Sequence, residues 1–411
     1  MSTDSNYTFA EGTPGITEVP GFTAAGYSCD IRCKGNDRLD TALVFSALPC
    51  AAAGTFTTND VKAAPVRLDM ARIAKGGAFH AVIANSGNAN AYTGEQGKKD
   101  AAEMAALTAQ ALGIPEESVL VGSTGRIGRD MPMERFRKGI PLAAKLLSSD
   151  KKSGEAAAWA ILTSDTRPKT ATASFECKGK KIVVSGMAKG AGMIQPNMAT
   201  MLAFIATNAA LPAATLQTIL RRSVFVSFNR ITVDGDMSTN DTAIILANGE
   251  SGLSEKELGT AGMALFERAV HDVCKALAAM MVGDGEKITK VVTVNITGAK
   301  TEADAEKIAR CIGNSLLVKS SWFGDDPNWG RIMDAAGYAR VGLDETAFDL
   351  SYDDIPVVRQ GTPLHDNLPQ WKECVSKKHF AVNLDVHAGN ASFTLLASDL
   401  TEGYVNYNKS E

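Results

Sequence analysis

The chain has 411 residues, of which 45% are apolar and 21% charged, so it can bury a sizeable core and is not a disordered chain. Its 42 basic and 46 acidic residues leave a net charge of −4, which argues against a dedicated nucleic-acid binder. At about 150 residues per domain the length suggests two or three domains.

The N-terminus, MSTDSNYTFAEGTPG, carries Asp4 and Glu11 and has no basic n-region or apolar h-region, so it does not read as a signal peptide. The apolar stretches 42–56 and 198–211 are broken by Ser, Thr, Asn, Pro or Gly and are too short for a membrane helix. No membrane is expected, and the cytoplasm is the simplest location. Strand-like runs follow at 80–84, 118–121, 170–187, 201–205, 242–246, 291–296, 380–386 and 392–396. The run 170–187, with KGKK at its middle, reads as a hairpin. Helical periodicity is clearest at 98–112, 133–147, 211–227, 254–281 and 303–314. Ser254 with Glu257 predicts a capping box. Strands and helices alternate throughout, so the class is α/β with mixed α+β layers. Turn-rich zones at 189–196 and 283–285 are the candidate boundaries between two structural domains.

Seven scattered cysteines argue for a reducing compartment rather than a disulfide framework. Cys29 and Cys33 have no second Cys/His pair at zinc-site distance, and the five histidines form no HExxH or HxH pattern. No metal and no cofactor are expected.

One segment carries chemistry. At 187–208, MAKGAGMIQPNMATMLAFIATN, glycines and a proline mark a tight loop feeding a buried strand. Thr200 could be a core strand residue or a nucleophile. A Thr hydroxyl needs an adjacent base. Cleavage between Ala199 and Thr200 would free an α-amine with a pKa of about 7.7–8, suited to that task. The STG of GSTGRIG (122–128) reads by itself as a turn or helix cap, and Lys189 by itself as a solvated side chain.

The run KGAGMIQPNMATMLAFIATNA (189–209) resembles the signature of the glutamate N-acetyltransferase / ornithine acetyltransferase family. ANSGNANA (84–91), GSTGRIG, AILTSDTRPK (160–169), FNRITVDGDMSTNDT (228–242), GDGE (283–286) and DPNWGRI (326–332) stand in that family's order. The resemblance implies a two-domain, layered α/β fold and a self-cleaving Thr-nucleophile enzyme. The chain would divide into an α chain 1–199 and a β chain 200–411, assembled as an α₂β₂ heterotetramer. By this resemblance Thr200 is the nucleophile, and Thr124 and Gly125 form the oxyanion hole. Thr163, Lys189, Thr200 and Glu286 bind substrate, although Ser164 and Asp165 beside Thr163 could simply form a turn. Lys189 suits a carboxylate and Glu286 an α-ammonium.

The family's C-terminal pattern is a Tyr-Val pair, an Asn three residues on, and a Ser or Thr five residues later. Here Asn408 fills the first place, and the second is missing or taken by Ser410; by the resemblance these positions bind substrate, on its carboxylate side. Gln195 stands where many members have His, and no catalytic role is assigned to it.

The implied reaction carries acetyl from N-acetylornithine to glutamate through an acetyl-Thr200 ester, with acetyl-CoA as a possible further donor. The alternative is an amidase or aminopeptidase using the same Thr nucleophile.

Overall fold

The structure, a computed structural model, describes residues 6–195 and 201–409. The chain divides into two compact units. The first takes the described residues up to Gly190, then 201–229 and Met237–Met281. The second takes 191–195, Arg230–Asp236 and the chain from Val282 on.

The strands of the first unit are β1 (Tyr7–Glu11), β2 (Phe22–Tyr27), β3 (Thr41–Phe56), β4 (Phe79–Asn88), β5 (Val119–Arg126), β6 (Lys169–Cys177), β7 (Lys180–Lys189), β8 (Leu202–Thr207) and β9 (Thr242–Ala247). They form one sheet in the order β1-β6-β7-β8-β9-β3-β4-β5, with β2 paired to β3. Its pairs are antiparallel except β8 with β9 and β4 with β5. Alternation sorts the side chains to two faces. On β4, Ala81 and Ile83 join one core with Met104, Ala105, Phe136 and Ile140 from helices Gly94–Leu112 and Met133–Lys145. Val82 and Ala84 join the other, with Ala157 and Ala158 of helix Lys151–Ala160 and with Leu202, Phe204 and Ile244. Every residue of β8 and β9 is buried, as expected of a parallel pair covered on both faces.

The long strand β3 serves two partners. Its first half pairs with β2 and β4, its second half, Ala51 to Phe56, with β9. Helix Glu255–Val282 opens on the expected capping box: Ser254 N donates to Glu257 Oε2 at 3.0 Å, and Glu257 N donates to Ser254 Oγ at 3.5 Å. Gly259, at φ +61°, kinks its first turn.

The second unit holds β10 (Val291–Ala299), β11 (Asp349–Tyr352), β12 (Ile355–Arg359), β13 (Thr362–Pro363), β14 (His379–Asp385) and β15 (Ala391–Ser398), in the order β13-β12-β11-β14-β10-β15. Helix Glu302–Asn314 lays Ala305, Ile308, Ala309 and Ile312 on this sheet, a 3.6-residue stripe that meets Val294, Leu395 and Ala397.

Candidate active site

In the first unit the sheet register brings three strand ends level. Lys189, the last residue of β7, pairs with Leu202, the first of β8, and Leu202 pairs with Thr242, the first of β9. Lys189 is 2% exposed, against the expectation of a solvated side chain. Its Nζ donates to Thr163 Oγ1 at 2.7 Å and to Thr124 Oγ1 at 3.3 Å. Three of the residues expected to act together are therefore in contact.

Each is held by its own element. Thr124 and Gly125 lie in β5, not in a turn or helix cap as the STG triplet alone suggested. Two glycines explain the difference. Gly87 and Gly125 face each other across the β4–β5 pair, both in the left-handed region (φ +102° and +133°). A Cβ on Gly125 would overlap the backbone of Gly87 and Asn88. Without side chains the strands stay paired through an irregular register. Thr124 is buried and Gly125 exposed beside it.

Thr163 sits in the loop after helix Lys151–Ala160. Arg38 Nη2 donates to its carbonyl at 2.6 Å and to that of Leu162 at 3.1 Å, which pins the loop. Asp165 accepts the Thr163 N–H at 3.1 Å within this loop. It also does more. Lys169 Nζ and Gly190 N each donate to it at 2.7 Å, and Lys189 Nζ lies 3.9 Å away. Burial pushes the Asp165 carboxyl up. The charges of Lys189 and Lys169, with these hydrogen bonds, more than reverse that and hold it well below the usual carboxylate range. Asp165 is thus the buried counter-charge for two lysines, a role that sequence reasoning missed. The i,i+4 spacing of Asp165 and Lys169 was visible, but nothing in it signalled burial.

In the second unit Asn408 Nδ2 donates to Glu286 Oε2 at 3.0 Å and to the Tyr404 carbonyl at 3.0 Å. Glu286 and Asn408, both expected to bind substrate, are therefore neighbours. Gly192 makes room for them: a Cβ there would come within 2.5 Å of the Glu286 carboxylate. Tyr404 OH donates to Asp234 Oδ2 at 3.2 Å. Burial raises the Asp234 carboxyl above its ordinary value, and the N–H groups of Met193, Asp236 and Ile194 offset this only in part. Gln195 accepts a hydrogen bond from Asn314 Nδ2 at 3.0 Å. The expected nucleophile Thr200, the cleavage position Ala199, and Ser410 lie outside the described residues.

Among the described residues no cluster of three or more His, Cys, Asp or Glu side chains could hold a metal ion, and no helix is long and apolar enough to cross a membrane.

Mixed strands covered by helices, with buried charge gathered at one end of the sheet, place the chain among α/β proteins and mark that end as a place for chemistry. The ArgJ family's sequence model matches residues 23–410, and the chain belongs to that family. An arginine biosynthesis bifunctional protein ArgJ from Symbiobacterium thermophilum is 47% identical over 396 residues, covering 96% of this chain and 98% of the relative. A glutamate N-acetyltransferase from Methanocaldococcus jannaschii is 42% identical over 404 residues, covering 96% of this chain and 97% of the relative. A solved ornithine acetyltransferase from Mycobacterium tuberculosis, complexed with ornithine, is 35% identical and covers 48% of this chain and 100% of its own, with a TM-score of 0.42.

Proposed function

We propose that the chain is an acetyltransferase of arginine biosynthesis that moves the acetyl group of N-acetylornithine to glutamate through an ester on Thr200. Membership in the ArgJ family and the names of its relatives support the pathway and the chemistry. The observation that carries the site is the buried Lys189 ammonium between the Thr124 and Thr163 hydroxyls. Because Thr124 Oγ1 accepts from Lys189, its own proton is left to be given elsewhere, which suits a donor to a developing oxyanion.

The reaction has two stages. First, the Thr200 hydroxyl attacks the Ala199 carbonyl in an N→O acyl shift, and hydrolysis of the ester separates chain 1–199 from chain 200–411. Second, the freed α-amine of Thr200 takes the proton of its own hydroxyl as that oxygen attacks the acetyl carbonyl. Thr124 and Gly125 stabilise the oxyanion and ornithine leaves. Glutamate then accepts the acetyl group. By the resemblance Lys189 is assigned the carboxylate of the amino-acid substrate, Glu286 its α-ammonium, and Thr163 and Asn408 further substrate contacts. The sequence resemblance supports an α₂β₂ assembly. The reaction draws on no metal or cofactor.

The test is to incubate the purified protein with N-acetylornithine, with and without glutamate. N-acetylglutamate formed in step with ornithine, by ping-pong kinetics, is expected. Free acetate released at the same rate whether or not glutamate is present would make the protein an amidase instead. The word bifunctional in the relatives' names makes acetyl-CoA the second donor to try in the same assay.

A further inference from the structure

Helix Glu402–Asn408 of the second unit has seven residues and buries none of them. Helices shorter than about 12–15 residues are marginal in water on their own, and this one has no apolar face to dock. Polar contacts hold it instead. Thr401 caps it: Thr401 Oγ1 accepts the Tyr404 N–H at 3.0 Å and donates to the Lys287 carbonyl at 2.7 Å. Lys287 Nζ lies 5.4 Å from the centre of the Tyr407 ring. At the far end Asn408 Nδ2 meets the Glu286 carboxylate.

Tyr404 joins these contacts to the loop beside Glu286. Its hydroxyl donates to Asp234 Oδ2 at 3.2 Å, and its carbonyl accepts from Asn408 Nδ2 at 3.0 Å. Both protons of the Asn408 amide are thus committed, one to Glu286 and one to Tyr404. Asp234 Oδ2 also accepts the Met193 N–H at 2.5 Å, and Oδ1 accepts those of Ile194 at 2.8 Å and Asp236 at 3.2 Å. The same loop holds Glu286. The Ala191 carbonyl accepts the Glu286 N–H at 2.9 Å, and Gly192 lies against the Glu286 carboxylate. One side chain, Asp234, therefore ties the backbone behind Glu286 to the helix that carries Asn408. Burial first, then the Asp234 charge, raises the Tyr404 phenol above its ordinary value, so it stays protonated and donates.

We propose that Tyr404 is a positioning residue for substrate binding. Clamped on Asp234 by its hydroxyl, it seats helix Glu402–Asn408 so that Asn408 stands on Glu286 before substrate arrives. This rests on the reading of Glu286 and Asn408 as substrate contacts given above. A helix already seated spares the bound state the entropy of ordering it, and that gain appears as affinity. Loss of the Tyr404 hydroxyl therefore acts on KM and leaves kcat in place.

Two measurements test this. The first is a double-mutant cycle on the full-length protein with Y404F and N408A, reading KM and kcat for N-acetylornithine at saturating glutamate. N408A is expected to raise KM. Y404F is expected to raise it about tenfold, the loss of one hydrogen bond to a charged group, with kcat retained. The double variant is expected to match N408A alone, because Tyr404 acts through Asn408. A Y404F enzyme with wild-type KM overturns the proposal, and so do effects that add in the double variant. If N408A itself leaves KM unchanged, the substrate-contact reading fails first, and the role of Tyr404 falls with it.

The second needs neither a variant nor turnover. Hydrogen–deuterium exchange of the wild type, without substrate, is expected to be much slower over residues 404–408 than in an unstructured chain. Exchange there at the unstructured rate would show that the helix is not seated, and overturns the proposal whatever the kinetics.

Discussion

Asp165 balances two ammonium groups with one carboxylate, both of its oxygens engaged and its side chain out of water. Removing the charge while keeping the shape strands Lys169 and Lys189 in a low-dielectric pocket. D165N is therefore expected to lose about 3–5 kcal/mol of stability in denaturant unfolding, the cost of breaking a buried pair from one side. The pH dependence has a definite sign. The folded carboxyl titrates below its unfolded value of about 3.9, so its stabilisation is fully present above that pH. It is lost as the pH falls through the lower, folded pKa. Wild-type unfolding should show this acid loss and D165N should not; equal slopes for the two below pH 4 would contradict it. Asp165 and Lys169 were legible only as a charge pair in a loop. Lys is normally exposed, and its burial here follows from the β6–β7 register, which sets Lys169 opposite Ala188 and one place from Lys189. The Thr124, Thr163 and Lys189 set was legible through the order of the family's motifs, but not through spacing.

At the level of the elements, the close approach of β4 and β5 decides where Thr124 and Gly125 stand. Gly125 needs both its positive φ and its missing side chain, so G125A must bend one strand away from the other. If the pair forms an oxyanion hole, G125A should lose about 10²–10³ in kcat, with little change in KM, while its circular dichroism stays native. A variant with full kcat would remove Gly125 from the catalytic machinery. Regular elements were the legible part of the fold: the apolar stripe of helix Glu302–Asn314 and the alternation in β10 and β14 point to their buried faces. Irregular ones were not. Helix Ala64–Lys75 carries Pro65 in its first turn, where proline is tolerated but reads as a breaker. The strand β3 was visible only as an apolar stretch, because its register shift between Phe45 and Cys50 interrupts any simple alternation.

For the whole molecule, one event organises the account. Lys189 and Leu202, paired across β7 and β8, flank the expected cleavage position in sequence. The proposed acetyl transfer requires a free α-amine on Thr200. The measurement that tests this most directly is the intact mass of the purified protein under denaturing conditions, with N-terminal identification of each species. Two polypeptides, each about half of the 43.3 kDa chain, with Thr200 beginning the second, are expected. A single species of 43.3 kDa that still forms N-acetylglutamate at full rate would contradict the account, because the base it assigns would not exist.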